Sequence, residues 1–242
     1  MGFSASSALR FGWETFKKRP WFFIGAFVLI AIAQAVVEGL SRAIDAPFGG
    51  AEEDHTFLGG LVSLALSTLI SMGITAFALA AHDNPDTVEF SALWHPHPFW
   101  KYLGLSFLFV LIAVAGVLGF FAISAALGPL FGHEFVVAAM VVIYIVLCVI
   151  LLLMFMFATF FVIDRELGPI KALQESYRIT RGYKWDLFVL TLLLLLINVA
   201  GLLAFIVGIL VSAPVSLLAL THAYRVLSGG AVPRPVDAAL AA

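Results

Sequence analysis

The chain has 242 residues, of which 62% are hydrophobic, 14% aromatic and 12% charged, with a formal net charge of −2 and a mean hydropathy of +1.08. A soluble domain is typically about 45–50% apolar and about 25% charged, and a core in water needs a polar skin, so a water-soluble globule is excluded and lipid is the expected solvent. The near-neutral charge gives no ground for a nucleic-acid partner, and the single cysteine, Cys148, lies in an apolar run where it reads as a buried structural thiol.

Met1 to Arg19 begins polar and ends basic. Leu9, Trp13 and Phe16 fall at i, i+4 and i+7 and share a helical face, with Arg10, Glu14, Lys17 and Lys18 largely away from it. Ser4 or Ser7 can cap this helix, and its aromatic and cationic sides predict a helix lying on the membrane surface. Ala33-Gln34-Ala35 has the form of a signal-peptide cleavage box, but the charged region before it is too long and too patterned. A short match of Met1-Gly2 with Ser6 to the myristoylation pattern is set aside.

Pro20 can open a helix without losing a needed N–H, and Trp21 to about Val37 forms the first span, with Gln34 its polar residue. An acidic, glycine-rich connection follows from Glu38 to Thr56, including Glu52, Glu53 and Asp54. Phe57 to Ala81 is the second span, in which Ser63, Ser67, Ser71 and Thr75 recur at four-residue steps. Small residues at this spacing let helices approach closely in lipid, and their hydroxyls can bond back to the i−4 carbonyl.

His82 to Lys101 reads as a second interfacial segment: Asp86 and Glu89 bracket a helix start, Phe90, Leu93 and Trp94 share a face, and His95-Pro96-His97-Pro98 ends it. Tyr102 to Leu127 is the third span, Gly128 to Glu134 a turn, and Phe135 to Ile163 the fourth span. The fourth exceeds what a hydrocarbon layer of about 30 Å requires, so it should tilt, or its end with Phe155, Phe157, Phe160 and Phe161 should emerge into the headgroups.

A third interfacial helix starts at Pro169 and stops near Gly182, with Ile170, Leu173 and Tyr177 on its apolar face and Lys171, Gln174, Glu175, Arg178 and Arg181 on its wet one. Trp185 to Leu203 is the fifth span and about Ile209 to Val226 the sixth, with a turn at Ala204 to Gly208 where Gly208 can take a positive φ. One long or re-entrant helix is the alternative. Residues 228–242 read as a flexible tail.

These segments repeat. A shift of 164 residues places Ala8-Leu9 on Ala172-Leu173, Trp13 on Tyr177, Lys17 on Arg181 and Trp21 on Trp185, while Trp21, Trp100 and Trp185 recur about every eighty residues. The expected fold is therefore all-α: a polytopic transmembrane bundle of six helices, built from three repeats of an interfacial amphipathic helix and a transmembrane hairpin. The units are 1–81, 82–163 and 164–227. With six crossings, twelve of the thirteen Lys and Arg residues lie on one side and only Arg42 on the other. The positive-inside rule makes that side, with both termini and all five tryptophans, cytoplasmic.

No ionisable residue sits near the centre of a span, where a charge costs about 3 kcal/mol and usually marks a relay or pathway. Phosphate-binding glycine loops, HExxH and GxSxG are likewise missing from the sequence, so no catalytic residue, cofactor or metal is assigned. His82, Asp83, Asp86, His95 and His97 form a cluster with ligand chemistry but no fixed geometry. The candidate lipid-interface residues are Trp13, Lys17, Lys18, Arg19, Trp21, Trp100, Lys171, Arg178, Arg181 and Trp185. The candidate interhelical polar residues are Gln34, Ser67, Ser71, Asn198 and Ser212, with Tyr144 and His222 as further polar groups inside spans.

The stretch LGPIKALQESYRITRGYKWDLFVLTLLLL, the later GILVSAPVSLLALTHAYRVL and the opening FGWETFKKRPWFFIG resemble a broad group of uncharacterised bacterial multi-pass membrane proteins. That group includes the membrane domain attached to some glycerophosphoryl diester phosphodiesterases. The resemblance covers both ends and less of the middle. It implies a six-helix bundle in the bacterial cytoplasmic membrane, brings no reaction, and transfers no functional residue. The expected role is non-enzymatic: organising lipid, particularly anionic lipid, or membrane partner proteins. A carrier for a small or amphipathic solute is the alternative, and a cavity lined by Gln34, Ser67, Ser71, Asn198 and Ser212 would favour it.

Overall fold

The computed structural model describes residues 3–46, 57–94, 96–204 and 208–229. The acidic run at 52–54, His95 and the tail from residue 230 onward lie outside the described residues. Within them the chain is all-α: α1 (Ala5–Lys18), α2 (Pro20–Asp45), α3 (Phe57–Asp83), α4 (Phe99–Phe131), α5 (His133–Phe155), α6 (Ala158–Asp164), α7 (Pro169–Thr180), α8 (Lys184–Leu203) and α9 (Ile209–Leu227). Six stretches are long and apolar enough to cross a membrane: Pro20–Asp45, Gly59–Asp83, Phe99–Phe131, His133–Asp164, Lys184–Leu203 and Ile209–Leu227.

Several boundaries differ from the sequence reading. The first span continues past Val37 to Asp45, because Glu38 and Arg42 pair at 2.8 Å on its outer face one turn apart. The third runs from Phe99 to Phe131, so the turn before the fourth span narrows to Gly132, whose φ is +88°. The second interfacial segment is not an α-helix. It forms only a four-residue 3-10 turn, Phe90–Leu93, and Glu89 at its start makes no capping bond. Pro85, Pro96 and Pro98 crowd this segment, and a proline disfavours helix in the residue before it.

The chain divides into two compact units, Met1–Phe99 with Trp185–Ala242, and Trp100–Lys184. In the first unit α1 packs on α9, α2 on α3, and both α2 and α3 on α9. Phe16, Phe23, Ala26, Phe77, Ala81, Val88, Val215 and Leu218 form its core. The α8–α9 pair is a hairpin and not one rod, since Gly201 and Gly208 approach so closely that a Cβ on either would strike the other's backbone. Gly208 has φ −64°, so close approach and not a left-handed turn explains the glycine there.

Residues 84–94 run back along α2 and α3 and cross no open interface. Phe90 stacks near Phe22, with centroids 4.6 Å apart, and the Leu93 carbonyl lies against Gly73 where no Cβ could fit. Gly73 is ten residues before the end of α3 at Asp83, or about 15 Å at about 1.5 Å per residue. Trp94 then lines a shallow apolar groove with Leu29, Ile30, Ala33, Leu69 and Ile70. Trp94 therefore stands well along these helices and not beside Trp21 at the first turn of α2, contrary to the expectation of one border for all five tryptophans.

In the second unit few residues of α4 and α5 are buried, and α6 and α7 carry most of the buried surface. Cys148 is exposed on α5 and not buried. The fourth span is broken: α5 ends at Phe155 and α6 restarts at Ala158. The break turns α6 onto α7, and Phe157, Phe160 and Phe161 are buried there. Ser176 of α7, itself fully buried, satisfies the broken ladder. Its hydroxyl donates to the Met154 carbonyl at 2.8 Å and accepts from the Phe157 N–H at 3.3 Å.

Candidate functional site

Helix α1 buries Ala5, Ala8, Gly12, Thr15 and Phe16 and leaves Trp13 largely exposed. The inward face thus joins small residues to Phe16, with Leu9 half-buried beside it, while Trp13 of the face read from periodicity turns outward. Small residues allow backbones to touch: a Cβ on Gly12 would lie 2.5 Å from the Val215 carbonyl oxygen and 3.1 Å from the Ala219 nitrogen. Helix α7 behaves alike, burying Ala172, Ser176, Ile179 and Thr180 and exposing Ile170 and Tyr177. Gly182 at its end has φ +99°, the left-handed stop expected of it.

The candidate lipid-interface residues divide by what they touch. Trp13, Lys17, Trp21, Trp100, Lys171, Arg181 and Trp185 are exposed. Lys17 Nζ stands 5.7 Å from the Trp13 ring, and Trp185 stacks on Phe188 with centroids 5.6 Å apart. Arg178 pairs with Glu175 one turn away, and Lys18 reaches Asp86 at 3.9 Å. Arg19 is turned inward: its guanidinium donates to the Asp86 and Val88 carbonyls at 3.1 and 3.0 Å and lies 4.1 Å from the Phe22 ring. It holds the returning segment in place.

Of the polar candidates, Asn198 and Ser212 come together. Asn198 Nδ2 donates to the Leu194 carbonyl and to Ser216 Oγ, both at 2.8 Å, and its Oδ1 accepts from Ser212 Oγ at 2.9 Å. This clasps α8 to α9. Ser67 and Ser71 are half-buried on α3 and Gln34 is exposed on α2. Hydroxyls elsewhere bond to the i−4 carbonyl, as Thr68 does to Leu64 at 2.6 Å and Thr75 to Ser71 at 3.1 Å.

The histidine cluster is recomposed. His82 and Asp83, at the end of α3, meet His222 and Arg225 of α9. His82 Nδ1 is 3.1 Å from Asp83 Oδ1, and its Nε2 is 3.2 Å from His222 Nδ1. A proton donated from His82 Nδ1 to Asp83 requires Nε2 to accept from His222. Arg225 grips both Asp83 oxygens, at 3.1 and 2.5 Å, and Phe11 of α1 stacks on His222 with centroids 4.3 Å apart. Asp86 turns to Lys18 instead, and His97 is exposed. Among the described residues no group of three or more His, Cys, Asp or Glu is placed to hold a metal. The sequence signal for this contact is modest: a histidine beside a charge at the end of each of two spans.

Because Phe11 contacts His222 while Ser6, Leu9, Arg10 and Trp13 line a cavity with Gly208 and Val211, the two sides of α1 face opposite halves of α9. The cavity holds about 590 Å3 between α1, α8 and α9. Of the five polar candidates only Ser212 lines it. At its edge Arg10 Nε donates to Glu14 Oε1 at 2.7 Å. That hydrogen bond, with the attraction between the charges, raises the Arg10 pKa and lowers that of Glu14.

No curated protein and no solved structure matches this chain. A family model described as a domain of unknown function, DUF7847, matches residues 97–240. That match spans more than half of the chain, from the start of α4 through the α8–α9 hairpin, and the chain belongs to the DUF7847 family.

Proposed function

We propose that this chain is a non-enzymatic integral membrane protein, built from three repeats, that gathers anionic lipid along one face of the bacterial cytoplasmic membrane. One observation carries the reading. At the shift of 164 residues the buried sets of α1 and α7 coincide at all positions but Ala5: Ala8, Gly12, Thr15 and Phe16 fall on Ala172, Ser176, Ile179 and Thr180. The outward aromatics Trp13 and Tyr177 coincide too, as do the helix starts Pro20 and Lys184. Each helix lays small residues and one larger apolar side chain, Phe16 or Ile179, against protein and turns Trp13 or Tyr177 and its cations outward.

The packing order agrees with three modules. The 3-10 turn rests on α3 and α7 on α5 and α6, each on the second hairpin helix of the module before it, and α1 of the first module rests on α9 of the third. Both termini are placed on the cation-rich side in this reading. Each Lys or Arg near an anionic surface contributes about 1 kcal/mol, so Lys17, Lys171 and Arg181 together supply about 3 kcal/mol. The carrier alternative draws less support, since of Gln34, Ser67, Ser71, Asn198 and Ser212 only Ser212 lines the cavity between α1, α8 and α9.

The test is the lipid that accompanies the protein when it is cut from membranes in polymer discs. Mass spectrometry of those discs should find anionic lipid enriched over the bulk membrane. The triple variant Lys17→Gln, Lys171→Gln, Arg181→Gln should return the ratio to bulk. A wild-type profile equal to bulk, or one that the triple variant leaves unchanged, rules the reading out.

A further inference from the structure

The cavity between α1, α8 and α9 has a volume of about 590 Å3, within the roughly 300–1,000 Å3 of small-ligand sites. Leu9, Leu193, Ile197, Val211 and Val215 make its walls aliphatic. Gly201 and Gly208 meet at one end, where larger residues could not fit. The hydroxyl of Ser212 is already given to Asn198, and that of Ser6 shares a hydrogen bond with Ser4 at 2.9 Å and can donate onward when it accepts there, so the side-chain polar groups left to an occupant are Arg10, the Ser6 hydroxyl and the Trp13 indole N–H. A water needs two to four polar partners, and the aliphatic walls offer none. The occupant must be apolar over most of its length and anionic at one end.

We propose that this cavity seats one acyl chain of an anionic phospholipid, with its phosphate at Arg10 and Ser6. The bond from Arg10 Nε to Glu14 fixes the guanidinium plane and leaves its two terminal amino groups to fork onto phosphate oxygens. Glu14 opposes an anion there. Lys17, whose charge also acts on Glu14, keeps the local balance positive. The site rests on the reading of α1 as a helix at the lipid interface and narrows it to one bound molecule.

Trp13 lines the cavity and reports on it. In the full chain in detergent micelles, Trp21, Trp94, Trp100 and Trp185 are replaced by Phe so that only Trp13 fluoresces. Phosphatidylglycerol brominated on its acyl chains should quench Trp13 along a saturable curve, at concentrations at least tenfold below those needed with brominated phosphatidylcholine. Arg10→Gln should move the phosphatidylglycerol curve about tenfold, to that of phosphatidylcholine, and Arg10→Lys should recover most of the loss. Ile197→Phe, which fills the cavity, should abolish saturation with either lipid while the helical circular dichroism is kept. Quenching that never saturates, or that ignores both Arg10→Gln and Ile197→Phe, overturns the site. If anionic lipid is not enriched in polymer discs while Trp13 quenching saturates, the surface reading falls and the cavity stands. The reverse result removes the cavity alone.

Discussion

Gly12 occupies the middle of α1, where alanine would favour the helix by about 1 kcal/mol. The loss is offset because only a missing side chain lets α1 meet the Val215 carbonyl of α9. Backbone atoms cannot swing aside, so the contact is unforgiving. Gly12→Val should cost about 1–3 kcal/mol, the range for an overfilled contact. The readout is hydrogen exchange: the amides of Ala8 to Phe16 should exchange faster, while those of α7 stay slow. Unchanged protection over α1 would mean that α1 does not depend on this crossing. The same scale explains Asn198. Its amide bonds to Ser212 and Ser216 across the hairpin and to the Leu194 carbonyl on its own helix, which makes one polar residue a register pin in an apolar setting.

At the scale of the element, the break between α5 and α6 is the clearest case of backbone chemistry deciding shape. A broken helix in an apolar setting strands a carbonyl and an N–H, and Ser176 serves both. Ser176→Ala should therefore cost about 1–2 kcal/mol, the desolvation of groups left without that partner, whereas Ser176→Thr keeps the hydroxyl and should cost less. Unfolding in mixed micelles measures both, and equal stability of Ser176→Ala with the parent would remove Ser176 from this role. The break was not legible in the sequence, because Leu151 to Phe161 contains neither glycine nor proline and every residue suits a continuous helix. The spans were legible, since composition alone sets them. The protein-facing sides of α1 and α7 were not legible in the apolar periodicity for a physical reason: in lipid the bulky apolar side chains need not turn inward, so the small residues mark the contact. The meeting of His82 with His222 joins residues 140 positions apart, and no local period encodes it.

For the whole molecule the question is which residues reach water and from which side. In the topology proposed above, where each of the six apolar stretches crosses once, α1 and α7 share one side and the α4–α5 turn takes the other. The cations follow that division, and the cost of carrying Lys or Arg across lipid, about 3 kcal/mol each at mid-membrane, resists any inversion of a pair of spans. Residues 84–94 complicate the count, because they connect two spans yet climb along α2 and α3 to Gly73. Val88 is buried in the core and the Leu93 carbonyl packs on Gly73, although most of the segment's side chains are exposed. With Cys148 replaced by Ala, single cysteines separate these cases under a maleimide that cannot cross membranes. His133→Cys should react in intact cells. Glu14→Cys and Lys171→Cys should react only after the membrane is opened. Trp94→Cys should stay unreactive from both sides until detergent replaces lipid, since its neighbours are Ile30, Ala33, Leu69 and Ile70. Reaction of Lys171→Cys in intact cells would break the even number of crossings. Ready reaction of Trp94→Cys in opened membranes would return the second connecting segment to the water's edge, and with it the idea that each module keeps its aromatic residues at one depth.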